Sequence, residues 1–224
     1  MNNRNSIFYI AVILIILVAV IFLVARQKEG TEEQGMKKAE KVFLWNQQDF
    51  EDWEFYLKDN TADPYGVFTI NEGMIDIKGT PFGYMRTRKA YGNYTLHLEW
   101  RWPGEPGNSG VFLHMQEPDT IWPPLIECQL QSGNAGDMIF AGGTKASELG
   151  DSTRMMKKYG DSSEKSPGAW NVYEIISRND SVIVFVNGTL QNTATHPSVS
   201  EGYIGLQSEG APIEFRNIYI VHSP

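Results

Sequence analysis

Polar side chains at alternate positions make residues 125–131 the stretch with the most chemistry to offer. Side chains of a strand point alternately to its two faces, so the polar ones here share a face; they are Glu127, Gln129 and Gln131. A carboxylate in the middle of a strand can act as a general acid or base when partial burial raises its pKa toward neutrality. An amide does not titrate, so Gln129 is better suited to hydrogen bonding with hydroxyl groups of a ligand. The competing interpretation of Glu127 is a solvated charge on the outer face of a sheet.

The preceding run, residues 110–116, adds a histidine. Strict alternation places His114 on the face shared with Phe112 and opposite Leu113, so we expect it on the same outer surface as Glu127. An imidazole there could be a second acid or base, a metal ligand or a contact to a bound molecule. A partly exposed strand histidine without a function fits the pattern equally well.

Further candidates for ligand binding follow from residue type and place. Gln207 and Glu209 are two apart and share a face if their strand continues that far; otherwise Glu209 belongs to the following turn. Asn108 either positions a ligand or shapes the turn that enters a strand. Trp170 and Trp122 offer rings on which the apolar face of a ligand could stack, although a core position for Trp170 is equally compatible.

These side chains must be positioned by strands, and the chain supplies many. Short alternating runs separated by turns that contain Gly or Pro predict an all-β fold, a two-sheet antiparallel β-sandwich. The Asn187-Gly188 pair and residues 178–181 are expected hairpin turns. The predicted strands are residues 67–70, 74–78, 83–87, 94–102, 110–116, 125–131, 170–177, 182–186, 202–207 and 213–221.

Two segments do not follow this pattern. Residues 132–169 lack regular periodicity and are rich in Gly, Ser, Asp and Lys. A connection this long is often a lid or a binding loop, and a surface insertion without a function is the alternative. The aromatic residues that follow Val42 predict a short strand or a segment that wraps the edge of the sandwich. No helix of amphipathic length is expected.

Composition narrows the possible partners. The 224 residues carry a net charge of −8 with a pI near 5.0, which argues against nucleic acid because phosphate binding requires clustered Lys and Arg. Cys128 is the one cysteine, so an intramolecular disulfide and a cysteine-built zinc site are excluded, and a buried inert thiol is expected. The histidines are not spaced as metal ligands are, and no calcium-binding loop of the EF type occurs. No motif therefore supports a structural or catalytic divalent metal, and whether the protein binds one stays open.

The amino-terminal residues predict a membrane anchor. Residues 7–25 are nineteen apolar residues without charge, Gly or Pro, and at about 1.5 Å rise each they nearly cross a hydrocarbon core of about 30 Å. The cleavage site is poor, so residues 1–26 are expected to be an anchor or an uncleaved signal. Residues 27–41 are a charged, flexible linker and residues 42–224 the folded domain. Positive charges flank both ends of the run and leave its orientation undecided.

Motifs occur in one order from about residue 42 to residue 221: VFLWNQQDFEDWEF, YGNYTLHLEWRW, GNSGVFLH, IECQLQ, SPGAWNVYEI with VFVNG, and GYIGLQSEGAPIEFRNIYI. In that order they resemble the 3-keto-disaccharide hydrolase family. The resemblance implies a concanavalin-like or laminin-G-like jelly roll that is exported to the periplasm or cell surface, where residues 7–25, the anchor expected from the apolar run, would hold it at the membrane. One position departs from the family, because His114 stands where many relatives carry Arg. That difference could alter substrate choice or leave a site that only binds.

The resemblance also implies a carbohydrate-active hydrolase or lyase that cleaves 3-keto-glycosides. A ketone at carbon 3 acidifies the hydrogen on carbon 2, so a base can remove it while the group on carbon 1 departs. On this basis Glu127 and His114 are the expected catalytic residues on the concave sheet. The expected substrate-binding residues are Asn108, Gln129, Gln207, Glu209 and Trp170. The alternative function is a non-catalytic, lectin-like carbohydrate-binding module tethered to the membrane, and a protein-binding scaffold is a third.

Overall fold

The computed structural model describes residues 40–150 and 153–222, and the fold below is the fold of these residues. The predicted anchor at residues 1–26 lies outside them, as does the predicted linker except for its last two residues. Within the described residues, no helix combines the length and the apolar character that a membrane span needs. Lys41, which the sequence assigns to the linker, already belongs to the first strand.

The regular elements of the described residues are strands, apart from one 3-10 turn at Pro64–Gly66. Every strand predicted from the alternation is present, with its ends within two residues of the prediction. The strands are β1 (Lys41–Phe43), β2 (Trp53–Leu57), β3 (Phe68–Asn71), β4 (Met74–Ile77), β5 (Gly83–Thr87), β6 (Tyr91–Gly92), β7 (Tyr94–Arg101), β8 (Gly110–Met115), β9 (Leu125–Gln129), β10 (Met138–Ala141), β11 (Met155–Met156), β12 (Asn171–Arg178), β13 (Ser181–Val186), β14 (Thr189–Thr195), β15 (Glu201–Ser208) and β16 (Ile213–His222).

The strands form two antiparallel sheets with a shared core. The first sheet has the order β14-β13-β12-β7-β16-β4-β3, and β1 also pairs with β16. The second sheet has the order β11-β10-β9-β8-β15-β5-β2, and β6 also pairs with β15. This arrangement confirms the predicted all-β, two-sheet sandwich.

The alternation of β7 shows how the sequence builds the core between the sheets. Its outward positions are half-buried, and its inward positions are fully buried: Tyr94, Leu96, Leu98 and Trp100. The Trp100 ring packs on Tyr173 of β12, with the ring centroids 5.1 Å apart. Burial of one large apolar side chain contributes about 1.5–3 kcal/mol, so this alternation determines which face of each strand turns inward.

The predicted Asn-Gly hairpin turn joins β13 to β14. Asn187 and Gly188 have φ values of 50° and 78°, and strand pairing resumes directly between Val186 and Thr189. Positive φ at both central residues is the requirement of a type I′ turn. The other predicted turn, between β12 and β13, has Asn179 at φ 52°.

Some strands lie where the sequence predicts none. Residues 132–169 contain β10 and β11, which extend the second sheet beyond β9. In β14 the buried side chains include amides, and their nitrogens have local partners: Gln191 Nε2 donates to Ser163 Oγ at 2.8 Å, and Asn192 Nδ2 donates to the Gly136 carbonyl oxygen at 3.1 Å. Because buried positions of β14 hold polar residues, its sequence lacks the apolar alternation from which a strand is predicted.

Candidate functional site

The second sheet carries a layer of buried side chains on the face turned away from the core. We call this outer face of the second sheet the site face. The main core does not include this layer, and the segment of residues 116–124 between β8 and β9 covers it. Its buried members are Tyr84, Phe112, Met115, Leu125 and Ala141, with Tyr56, Trp122 and Tyr203 packed against them.

Charged hydrogen bonds hold the covering segment to the sheet. Arg86 of β5 donates to both carboxylate oxygens of Asp119, at 2.8 and 2.7 Å. The Tyr84 hydroxyl also donates to Asp119, at 2.9 Å. The Arg86 guanidinium lies 4.1 Å from the centroid of the Tyr203 ring. A bidentate Arg–carboxylate pair combines energy with fixed geometry, so residues 116–124 form a fixed wall of the site face.

Glu127 lies near the centre of the site face. On β9 it is flanked by Phe112 of β8 and by Ile139 of β10. Only 1% of the residue is exposed, and its Oε1 atom has no hydrogen-bond partner. The alternation of the sequence predicts the face, but the near-complete burial of the carboxyl comes from the strands and the wall around it.

A strand position without a side chain lies beside Glu127. A Cβ atom at Gly110 of β8 would lie 2.6 Å from Glu127 Oε1 and 3.0 Å from Gln207 Oε1. Both oxygens therefore border one point above the Gly110 backbone. The missing side chain lets the Glu127 carboxyl lie against the β8 backbone, because a larger residue at Gly110 would collide with it.

Gln207, Asn108 and Glu209 complete the cluster. Gln207 of β15 is fully buried and lies beside Glu209, yet neither polar atom of its amide reaches hydrogen-bond geometry with a partner. Asn108 Nδ2 donates to Glu209 Oε2 at 2.7 Å, and Asn108 Oδ1 has no partner. Ten buried polar side-chain atoms of the described residues lack a partner, and four belong to Asn108, Glu127 and Gln207. Buried polar groups are normally paired, so this concentration indicates a ligand-binding position.

The electrostatics of the cluster favour proton transfer. Burial raises the pKa of Glu127 to about 8; the Glu209 carboxylate adds to the rise, and Arg154 opposes it. Burial also raises the pKa of Glu209, although the Gln207 side chain lowers it in part. Carboxyls with raised pKa values in a cleft can take up or release a proton near neutral pH.

Gln129 shares the face of Glu127, but its side chain is engaged by its own turn. Gln129 Oε1 accepts the backbone N–H of Leu130 at 2.9 Å and that of Gln131 at 2.8 Å. The Tyr173 hydroxyl donates to the Gln129 carbonyl oxygen at 2.8 Å. Gln131 is exposed beyond the end of β9. Of the three polar residues in this run, the structure brings Glu127 into the cluster.

His114 does not lie on the site face, contrary to the expectation from strict alternation. Its φ is 51°, and the pairing of β8 with β15 shifts register here, so a β-bulge turns its side chain to the other face. His114 Nδ1 lies 3.1 Å from the Val199 carbonyl oxygen, and Nε2 lies 3.0 Å from the Ser177 hydroxyl of the first sheet. A carbonyl oxygen only accepts, so Nδ1 carries the proton and Nε2 accepts from Ser177.

Burial also removes His114 from acid–base chemistry at neutral pH. Desolvation lowers the pKa of its imidazole to about 4, although the bond to Val199 raises it in part. Gly202 of β15 permits the bulge, because a Cβ there would lie 2.5 Å from the His114 carbonyl carbon. The expectation that His114 and Glu127 share one surface is therefore wrong, and the imidazole joins the two sheets instead.

Trp170 lies on the outer face of the first sheet. Its ring lies between the guanidinium groups of Arg101, 4.6 Å from the ring centroid, and Arg216, 3.9 Å from it. These arginines pair with Glu214 and Glu99 on the same face. Both sheets separate Trp170 from the site face, so its expected place beside the other substrate-binding candidates is wrong.

Two residues of the site carry no signal in the sequence. Gly110 is one of 21 glycines, and only the pairing of β8 with β9 shows that it lies two residues from Phe112, the partner of Glu127, and so diagonally across from Glu127. Arg154 comes from the stretch without periodicity, and its guanidinium lies 5.9 Å from the centroid of the Trp122 ring. Tertiary structure alone brings these residues to the carboxyl.

The described residues contain neither a reactive cysteine nor a cluster of metal-ligating side chains. Cys128 is free and buried in the core, as predicted, and burial raises the pKa of its thiol. A protonated, buried thiol is inert. Among residues 40–150 and 153–222, no group of three or more His, Cys, Asp and Glu side chains is placed to hold a metal ion.

Sequence comparison identifies one family. Residues 40–221 match the family described as the 3-keto-alpha-glucoside-1,2-lyase-like domain, which confirms the family that the motif order resembles. Among proteins with curated descriptions, none matches this sequence.

Solved structures share the sandwich. A proposed glycosyl hydrolase from Parabacteroides distasonis has a TM-score of 0.62 at 20% identity, over 82% of this chain and 100% of its own. The Bacillus licheniformis beta-glucanase has a TM-score of 0.54 at 14% identity, over 84% and 100%. The carbohydrate binding module CBM66 from Bacillus subtilis has a TM-score of 0.54 at 10% identity, over 79% and 98%. At these identities the likeness shows the fold, a concanavalin-like sandwich.

Proposed function

The chain belongs to the family of 3-keto-alpha-glucoside-1,2-lyase-like domains, and from that premise we propose that it cleaves 3-keto-glycosides by eliminating the group on carbon 1. Glu127 is the proposed base, and Gln207 and Asn108 are the proposed sugar-binding amides. The family supports the substrate class, and the geometry of the cluster supports the roles of these residues.

The proposed reaction moves one proton and breaks one C–O bond. The Glu127 carboxylate takes the proton from carbon 2, and the electrons of that C–H bond form an enolate with the ketone at carbon 3. The enolate then re-forms the ketone, and its electrons make a double bond between carbons 1 and 2. The oxygen on carbon 1 departs with the electrons of its bond and takes up the proton that Glu127 removed from carbon 2. The products are an unsaturated 3-keto-sugar and the free alcohol, and addition of water to the double bond gives the hydrolysis product.

One observation carries this proposal: a nearly fully buried carboxyl, a buried amide and a bare glycine meet at one point. Negative charge develops on the keto oxygen as the proton leaves carbon 2. Donors that already point at such an oxygen lower the barrier, because they need no rearrangement during the reaction. Gln207 Oε1 borders the Gly110 position and neither amide atom has a partner within hydrogen-bond geometry, so the two ends of the amide are interchangeable there; with Nε2 at this position, Gln207 is the proposed donor. Asn108 Oδ1, also unpartnered, accepts from a sugar hydroxyl.

The raised pKa of Glu127 suits a base that works near neutral pH. A general base is most effective when its pKa lies close to the working pH, because it is then both ionised in part and strongly basic. With a pKa of about 8, activity is expected to rise with pH and to level off above about pH 8. A decline over the same range would assign Glu127 the role of an acid.

The test is release of a chromogenic alcohol from its 3-keto-α-glucoside by the full chain. A detergent without a sugar headgroup keeps the predicted membrane segment soluble and avoids a competing ligand. The intact, unoxidised glucoside serves as the substrate control. We expect release from the oxidised glycoside alone, together with a transient ultraviolet band from the conjugated enone.

The Glu127→Gln variant separates catalysis from binding. It keeps the shape and removes the base, so turnover is expected to fall by at least about a hundredfold. Glu174→Gln, an exposed strand glutamate of the first sheet, is the matched control and should keep the wild-type rate. An unchanged rate in Glu127→Gln would exclude Glu127 as the base. Glycoside binding by the wild type without product would favour a binding module instead.

A further inference from the structure

An open cavity of about 960 Å³ lies at the edge of the sandwich where β2 and β3 are the outermost strands. We call it the edge cavity. Its volume is within the range of small-molecule sites. It lies four strands from Glu127 along the second sheet, in the order β2, β5, β15, β8, β9. At about 4.8 Å per strand that is about 19 Å, so the edge cavity is separate from the Glu127 cluster.

One wall of the edge cavity is aromatic. The Tyr65 ring lies 5.5 Å from Phe55 and 6.3 Å from Phe50, between centroids, and Phe50 lies edge-on to Phe55 at 5.4 Å. Tyr65 is 63% exposed, although two rings support it. Its 3-10 turn is fixed by Asp63, whose Oδ1 accepts the Tyr65 backbone N–H at 3.0 Å. The exposed ring is therefore held in place before any ligand arrives.

The rim of the edge cavity is polar and mostly acidic. Arg88 NH1 donates to Glu54 Oε1 at 2.8 Å, and Arg88 Nε donates to the Glu51 carbonyl oxygen at 2.7 Å. Carboxylates accept hydrogen bonds from hydroxyl groups, and an excess of them repels an anionic ligand. The carboxylates that line the cavity are Asp49, Glu51, Glu54 and Asp119. Two cations oppose them, Arg88 in the lining and Arg86, which pairs with Glu54 and Asp119 at 2.7 Å, so carboxylates remain in excess.

From this combination we propose that the edge cavity binds a neutral oligosaccharide, with one pyranose ring stacked on Tyr65 and its hydroxyls bonded to the carboxylates of the rim. A pyranose has an apolar face and an edge of hydroxyl groups, which match an aromatic wall beside charged acceptors. The acidic rim excludes uronic-acid and sulfated glycans. Binding here does not depend on elimination at Glu127.

The test is calorimetric titration of the full chain, in a detergent without a sugar headgroup, with a graded series of neutral gluco-oligosaccharides. Tyr65→Ala is expected to weaken binding by about fivefold or more, the loss of one stacking contact. Tyr65→Trp keeps a ring and should retain binding. Tyr159→Ala is the matched control, because Tyr159 is 62% exposed and lies outside the lining of the edge cavity.

The Glu127→Gln variant distinguishes this site from the proposed catalytic one. Binding that survives Glu127→Gln and is lost in Tyr65→Ala supports the edge cavity whatever the outcome at Glu127. Oligogalacturonates should not bind. The proposal is overturned if no neutral oligosaccharide binds saturably, or if affinity is the same in wild type, Tyr65→Ala and the double variant Tyr65→Ala with Arg88→Ala.

Discussion

Replacing Glu127 by Gln should stabilise the protein, and by an amount that grows with pH. The pKa of this carboxyl is raised from 4.5 to about 8 in the folded protein. The folded state therefore binds more protons than the unfolded state between those values, and the free energy of unfolding falls as pH rises through that window. The contribution of the carboxyl is fully present below about pH 4.5 and lost above about pH 8. A neutral amide has no such dependence.

The magnitude follows from the two pKa values. Each pKa unit corresponds to about 1.4 kcal/mol, so ionised Glu127 costs the folded state roughly 5 kcal/mol well above pH 8. Linkage gives a cost of roughly 1 kcal/mol at pH 5, 3 kcal/mol at pH 7 and 4 kcal/mol at pH 8. For a domain of this size, 1 kcal/mol moves the melting temperature by about 2 to 4 °C. The advantage of Glu127→Gln should thus grow by about 6 to 12 °C between pH 5 and pH 8.

The assay is thermal unfolding followed by tryptophan fluorescence, with wild type and variant compared at each pH in buffers of equal ionic strength. The exposed Glu174 provides the control, and its replacement by Gln should give curves parallel to wild type. If the difference in melting temperature between wild type and Glu127→Gln is the same at pH 5 and pH 8, the carboxyl does not titrate as its burial requires. Glu127 would then lack the raised pKa that suits it to act as a base near neutral pH.

Two further variants test the geometry. Gly110→Ala places a methyl group against the Glu127 carboxyl and should lower turnover by about a hundredfold or more. The control Gly104→Ala, with no atom within 4 Å of the added methyl, should match wild type. Equal activities of the two variants would show that the position above Gly110 does not take part in catalysis. His114→Gln should lower the free energy of unfolding by about 2 to 4 kcal/mol. It should also flatten the dependence of that free energy on pH between pH 6.5 and 4, where the unfolded state binds a proton that the buried imidazole does not. Turnover per folded molecule should stay within about twofold, and a selective loss of turnover would return His114 to the mechanism.

Most of the fold could be predicted because its strands alternate. In β7 the apolar residues recur at every second position, and burial follows the same period. In β9 every residue is buried, and the alternation shows only in which residues, Ile126 and Cys128, belong to the main core. Edge strands such as β11, two residues long, are too short to show a period. The bulge at His114 escaped prediction because it depends on β15, where Gly202 lets the two backbones approach.

The site could be predicted only in part, for a physical reason. The residue type identifies a carboxylate on a strand, and its odd or even position along the strand predicts the face on which it lies. Glu127 is therefore a clear candidate from the sequence. The burial that raises the pKa of its carboxyl depends on its surroundings, and these come from segments distant in sequence, including Gly110, Gln207 and Arg154. For Trp170 the residue type was not enough, because an aromatic side chain does not by itself indicate the sheet on which it lies.

The unpartnered amide and carboxyl atoms beside Gly110 bear on which sugars the protein can tell apart. A pocket that relies on apolar contact discriminates poorly, by roughly 10- to 200-fold for one methylene group, whereas a pocket that must hydrogen-bond a hydroxyl rejects a ligand without it by about 10⁴-fold or more. With Gln207 and Asn108 as the proposed sugar-binding amides, this protein would fall in the second class. A deoxy analogue should therefore lose far more kcat/KM than a glycoside that differs only in the size of the departing alcohol.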